Sequence, residues 1–211
     1  MKTPFTPEQF FGVFEHYNQS VFPAQFIISL LGLASLILLH VHNRAGQRFT
    51  GWFLGLLWIW TGLVYHIGFF SEINPIAKVF GGLFIFQGVL NMVEANHQRL
   101  QPSLGPGFKA TVGYFLIWFG FLIYPIISYF AESSFVRTIS LGLPCPTTIF
   151  TLGFFVLTTQ QYRKYLLIIP SLWAVVGISA AINFGVHQDL MILVAAITAL
   201  FFRFQNKTPR K

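Results

Sequence analysis

Four polar residues recur through one otherwise apolar stretch of the chain: Gln87, Asn91, Glu94 and Gln98 stand at i, i+4, i+7 and i+11. That spacing puts them on one face of a helix. Polar groups within an apolar span are costly in lipid and turn toward a bundle interior or a water-filled cavity. Glu94 is the carboxylate that the pattern places inside such a span, and there it can bind a cation, carry a proton or attract a basic substrate. The same stripe also fits polar glue between neighbouring helices near the inner interface.

A second feature is GLPCPTT, from Gly142 to Thr148. Pro144 and Pro146 lack backbone donors and free carbonyls in what reads as the middle of a span. Thr147, Thr148 and Thr151 offer hydroxyls to the exposed backbone or to a ligand. Broken helices mark binding sites in many transporters. Cys145 is the single cysteine, and one thiolate is too few for a soft-metal site, so it reads as part of a structural kink. His40 and His42 close the first span, and Glu94 with His97 forms a Glu-x-x-His pair at similar depth. Di-metal membrane proteins use two or more such pairs. With one pair, these four residues read as interfacial, and neither a metal nor a cofactor is expected. On the other half, Tyr65, His66, Asn74, Asn183, His187 and Asp189 could line a vestibule or anchor the helices at the interface.

The elements that position these residues follow from composition. Apolar residues make up 55% of the 211, charged residues 9% and aromatics 18%, more apolar surface than a soluble domain of this size can hide. The expectation is an all-α, polytopic membrane helix bundle forming a single domain over 1–211. Seven stretches approach the roughly 20 apolar residues that a crossing requires: 20–41, 51–70, 74–95, 111–131, 138–159, 165–183 and 188–203. The last is short, which leaves six as the alternative count, and the fifth should be kinked at its prolines. A basic tail, 204–211, follows the bundle.

Lysine and arginine are retained on the cytoplasmic side. With seven spans, one side receives Arg44, Arg48, Arg99, Lys109, Arg163, Lys164, Arg203, Lys207, Arg210 and Lys211, and the other Lys2, Lys78 and Arg137. The N-terminus is therefore expected outside and the C-terminus in the cytoplasm. Topology accounts for the net charge of +7 without a nucleic-acid partner. The lipid bilayer is the expected partner, with a second copy or a larger membrane complex as further candidates. No cleavable signal segment is recognisable in the first twenty residues. Within the external segment 1–19, residues 7–17 read as a short amphipathic helix, with Thr6 as cap, Pro7 in the first turn and Gln9 completing a capping box. Its stripe of Phe10, Val13, Phe14 and Tyr17 suits either the outer membrane surface or the end of the bundle. A faint repeat places Trp60, Trp118 and Trp173 at similar depths of three hairpins, GWFLGLLWIWTGLVY, GYFLIWFGFLIY and LLIIPSLWAVVG.

Missing parts exclude several classes. There is no Walker-type phosphate loop, no lysine in the last span for a retinal Schiff base and no serine nucleophile elbow. The segments FTPEQFFGVFEHYNQSVFPAQ, TGLVYHIGFFSEINPIAKVFGGLFIFQGVL, GLPCPTTIFTLG and PSLWAVVGISAAINFGVHQD together resemble a family of small bacterial multi-pass membrane proteins known only as a domain of unknown function. The resemblance implies a bacterial inner-membrane location and carries no activity or site residue. On the residues themselves, the leading expectation is a small permease or channel-like protein. Its polar path would lie between the third and fifth spans and involve Gln87, Asn91, Glu94, Cys145 and Thr148. A metal- or cofactor-binding membrane enzyme and an accessory subunit of a membrane complex are the alternatives.

Overall fold

The computed structural model describes residues 4–41, 43–159 and 162–205. Within these the chain forms eight helices and no strand: α1 Pro7–Ser20, α2 Ala24–Val41, α3 Arg44–Glu72, α4 Ala77–Asn96, α5 Phe108–Glu132, α6 Pro144–Leu157, α7 Lys164–Phe184 and α8 His187–Gln205. All but α1 and α6 are long and apolar enough to cross a membrane. Leu30, Leu56, Val79, Phe130, Val175 and Ile197 are exposed on those six helices. Outward-facing apolar side chains on every long helix are what a lipid surround favours and water penalises.

The expected fifth span differs from the other six. α6 has 14 residues, about 21 Å at 1.5 Å per residue, against a hydrocarbon core of about 30 Å. Pro144 and Pro146 do not kink it at mid-length. They lie in its first turn, where amide groups have no intrahelical partner to lose, and residues 138–143 approach it in non-helical form. Gly142 has φ of +100° there, a conformation that glycine adopts without steric penalty. α6 still carries the chain from one end of the bundle to the other. Tyr17 of α1 and Thr61 of α3 both reach the Gly142 carbonyl at its start, while Pro102 and Lys109, from the α4–α5 connection and the start of α5, meet Thr158 just past its end. The chain thus traverses the bundle seven times with six helices of full length.

Small residues set the helix spacing. A Cβ on Gly88 of α4 would come within 2.5 Å of the Gly55 carbonyl on α3, and one on Gly62 within 2.6 Å of the Gly81 carbonyl. These two antiparallel helices therefore pack backbone to backbone. Lipid gives helices little hydrophobic reason to associate, so close van der Waals contact at small residues has to supply it.

The N-terminal helix has the capping box expected for it: Gln9 N–H donates to Thr6 Oγ1 at 3.2 Å, and Thr6 N–H to Gln9 Oε1 at 2.8 Å. Its apolar stripe turns toward protein. Phe10 stacks on Phe184 of α7 with centroids 4.4 Å apart, and Phe14 on Tyr65 at 5.8 Å. Of the two expected settings, α1 occupies the end of the bundle. Arg137 fastens it there, with ion pairs to Glu8 at 2.8 Å and Glu15 at 2.9 Å, and these two carboxylates hold its guanidinium above the ordinary arginine range. Trp60 donates to Tyr17, whereas Trp173 packs on His66 and Phe84 and Trp118 on Tyr114 and Phe121, so the three repeat tryptophans occupy different surroundings.

Replacing Gly88 by Val forces α3 and α4 apart and should cost about 1–3 kcal/mol of stability, the range for overpacking a close contact. Gly82→Ala, with nothing within 4 Å of the added carbon, should leave stability unchanged or raised. Thermal unfolding of the purified variants in one detergent measures both.

Candidate functional site

The polar stripe faces inward. Gln87, Asn91 and Glu94 each have 0% exposure on α4, and the Gln87 amide donates to Asn91 Oδ1 at 3.0 Å and to the Leu166 carbonyl at 3.2 Å. Glu94 Oε1 accepts from the Tyr165 hydroxyl at 2.6 Å and from Arg99 at 3.1 Å. One polar atom on each residue has no protein partner: Gln87 Oε1, Asn91 Nδ2 and Glu94 Oε2. Buried polar atoms are nearly always paired with protein or ordered water, so three orphans leave unmet hydrogen-bonding capacity on one helix face. Gln98 leaves this face, adopting a left-handed backbone after the helix with φ of +54°.

Thr148 and Cys145 do not continue this row. Thr148 Oγ1 donates to the Pro144 carbonyl of its own helix at 2.8 Å. Cys145 lines a separate cavity of about 110 Å³ near the opposite end. Between the two sites Trp58 stacks on Phe84 at 4.4 Å, and Trp173 meets Phe84 edge-on at 5.1 Å. The Trp58 indole N–H donates to Thr151 Oγ1 at 2.9 Å, which locks the ring in place. The single polar path expected between the third and fifth spans is therefore two polar sites separated by packed rings.

The cavity gathers residues from seven helices, all but α2. Tyr65 lies in a stretch of α3 with π-helical geometry, Thr61–Phe69, a backbone form that recurs at functional sites. Tyr124 comes from α5, Cys145 from α6, Trp173 from α7 and Asp189 from the first turn of α8. The Tyr124 hydroxyl donates to Asp189 Oδ1, and the Cys145 thiol faces both. Asp189 is 2% exposed. Of the expected vestibule residues, Tyr65, Asn74 and Asp189 line the cavity. His66 is buried behind it among aromatic rings, with Phe84 at 4.7 Å and Trp173 at 5.1 Å, and neither ring nitrogen has a hydrogen-bond partner. Asn183 is exposed and donates to its own helix at Ser179, and His187 is also exposed. Burial pushes the Tyr17 phenol, under the same cap, up to about 12, so it stays neutral and accepts the Trp60 indole N–H at 2.7 Å.

The histidines do not gather around Glu94. His40 packs toward Tyr114 of α5, His97 is exposed and His42 lies outside the described residues. No group of three or more His, Cys, Asp or Glu side chains able to hold a metal occurs among the described residues. Tyr124, Trp173, Tyr165 and Arg99 complete the two sites and were not anticipated. In a chain with 18% aromatic residues, nothing in local spacing singles out three of them. Arg99, five residues past Glu94, was the one legible signal.

A model described as "Family of unknown function (DUF6064)" matches residues 7–210, and the chain belongs to that family. No curated protein and no solved structure matches it.

Tyr165→Phe removes a donor from a fully buried carboxylate and should lower stability by about 1.5–3 kcal/mol, the range for hydrogen bonds to charged groups. Arg99→Gln should cost a similar amount, because the Arg99 side chain is 36% exposed and Tyr165 37%, so water screens both pairings alike. Detergent melts of both variants beside wild type compare the two.

Proposed function

We propose that this member of a family without an assigned activity is a small permease for a monovalent cation, embedded in a bacterial inner membrane. Its basic end, carrying Arg44, Arg48, Arg99, Lys109, Arg163, Lys164 and Arg203, faces the cytoplasm by the retention of positive charge, and the end capped by α1 faces outward. One observation carries the reading: two buried carboxylates, Glu94 and Asp189, stand at opposite ends of one bundle on either side of a plug of packed rings. Phe80, on the cavity wall, and Glu94 are 14 residues apart on α4, so the sites are separated by roughly 20 Å at 1.5 Å per residue.

Intramembrane carboxylates mark ion and proton pathways. Each one here has capacity left for a cation: Glu94 Oε2 is unpaired, and no lysine or arginine pairs with Asp189 among the described residues. The ring plug keeps the sites apart, so transit requires the rings to move. The π-helical stretch Thr61–Phe69, with Tyr65 and His66 on it, is the natural place for that motion because its hydrogen bonding already departs from the regular ladder.

Purified chain in liposomes should dissipate an imposed inside-negative potential when H⁺, Na⁺, K⁺ or a small organic cation is supplied outside. Glu94→Gln and Asp189→Asn should each slow this at least tenfold. Potential decay no faster than in empty liposomes for every cation would overturn the proposal. A reporter fused after Lys211 should read cytoplasmic; a periplasmic signal would reverse the assigned orientation.

A further inference from the structure

The cavity at the α1 end has a composition that narrows what it admits. Its floor holds one carboxylate, Asp189, which is 2% exposed, accepts from the Tyr124 hydroxyl and lies within hydrogen-bond reach of the Cys145 thiol. The ion pairs among the described residues lie elsewhere, at Glu94 with Arg99 and at Glu8 and Glu15 with Arg137. Its walls are aromatic: Phe10, Phe14, Tyr65, Phe70, Phe80 and Trp173. A buried carboxylate without a countercharge is unfavourable in a medium of low polarity, and a cation entering beside it removes that penalty.

The walls decide which cation. A bare metal ion needs several oxygen ligands to replace its water shell, and this cavity is mostly ring carbon. An alkylated ammonium ion needs the opposite: apolar contact for its carbon groups, aromatic faces for its diffuse positive charge and one carboxylate for overall neutrality. Size is consistent with this. A dry cavity of about 150 Å³ takes a six-carbon ring, so 110 Å³ suits an ion of about five heavy atoms.

We propose that this cavity is a binding site for a small alkylated ammonium ion, held by Asp189 and the rings of Tyr65, Phe80 and Trp173. The proposal deepens the permease reading and rests on it, since it names what the outer site takes up. Charge selects the ligand through Asp189, the rings of Phe10 and Phe14 on α1 limit its size, and the Tyr124 hydroxyl holds the carboxylate at the cavity wall.

The test is equilibrium binding of radiolabelled tetramethylammonium to the purified full chain in detergent, with tert-butanol as a neutral competitor of the same heavy-atom count. Saturable binding of one ion per chain is expected, displaced by unlabelled tetramethylammonium but not by tert-butanol, Na⁺ or K⁺ at the same concentration. Asp189→Asn should weaken binding at least tenfold and Trp173→Leu at least threefold, each variant first shown to melt as wild type does. Displacement by tert-butanol equal to that by the ion would reduce the site to an apolar hole, and absence of saturable binding to wild type would overturn the proposal without any variant. Cation flux without tetramethylammonium binding would sink the ligand class and leave the permease standing. Binding without flux would keep the site and sink the permease.

Discussion

The arrangement depends on enclosing α6. A helix of 14 residues cannot match the thickness of a bilayer, and the non-helical segment that precedes it carries backbone groups that lipid cannot satisfy. Every residue of α6 except Cys145 is buried, and the bundle supplies what lipid cannot. Thr61 donates to the Gly142 carbonyl at 3.0 Å, and the Gly142 amide donates to Thr147 Oγ1 at 3.1 Å. The Ser128 hydroxyl accepts from the Ile139 amide at 2.8 Å. Close approach makes the wrapping tight: a Cβ on Gly120 of α5 would meet the Pro146 carbonyl at 2.7 Å. These polar and small residues thus serve an enclosed element, which removes several of them from the inventory of candidate ligands.

That enclosure also explains why the polar sites sit at the ends. The middle of the bundle is filled where α6 meets α3 and α5, with Trp58 held against Thr151 and Phe84 and Phe150 against Phe53 and Phe121. Close-packed interiors switch between discrete arrangements more readily than they deform continuously. Polar groups gather at the two ends: around Glu94 at one, and at the other beneath α1, which roofs the cavity between α3 and α7 with Phe10 and Phe14. Arg137 fixes that roof through Glu8 and Glu15, so the shape of the cavity depends on an ion pair outside the spans.

What the chain disclosed in advance followed the range of its signals. Hydropathy located the long helices to within a few residues, apart from α3, whose polar start at Arg44 the apolar window passed over. The capping box around Thr6 and the inward face of Gln87, Asn91 and Glu94 are local patterns, and both are present. The start of α6 was misplaced because residues 138–143 are as apolar as a helix interior, and hydropathy does not distinguish helical from extended backbone. The two sites were legible only in part for a different reason. Tyr124 and Asp189 are 65 positions apart, as are most cavity residues from one another, and helical spacing carries no information across loops. Cys145 and Glu94 looked like neighbours because both sit beside polar runs, yet α6 turns the thiol toward Asp189.

The two carboxylates differ in what already pairs with them. Glu94 already accepts from Arg99 and Tyr165, so a cation arriving there competes with a resident positive charge. Asp189 has the Tyr124 phenol and the Cys145 thiol as neighbours, and among the described residues no lysine or arginine pairs with it. Coulomb attraction in a poorly polar surround is strong at a few ångströms, so the unpaired carboxylate holds a cation more tightly than the paired one. Arg99 is partly exposed, so in the proposed permease it would swing into water as an ion reaches Glu94 and displace that ion on its return. In the proposed permease, a site that binds at one end and a competitor that expels at the other would amount to capture and release. The gradient of the cation would still decide the net flow, since no fixed charge can drive transport at equilibrium.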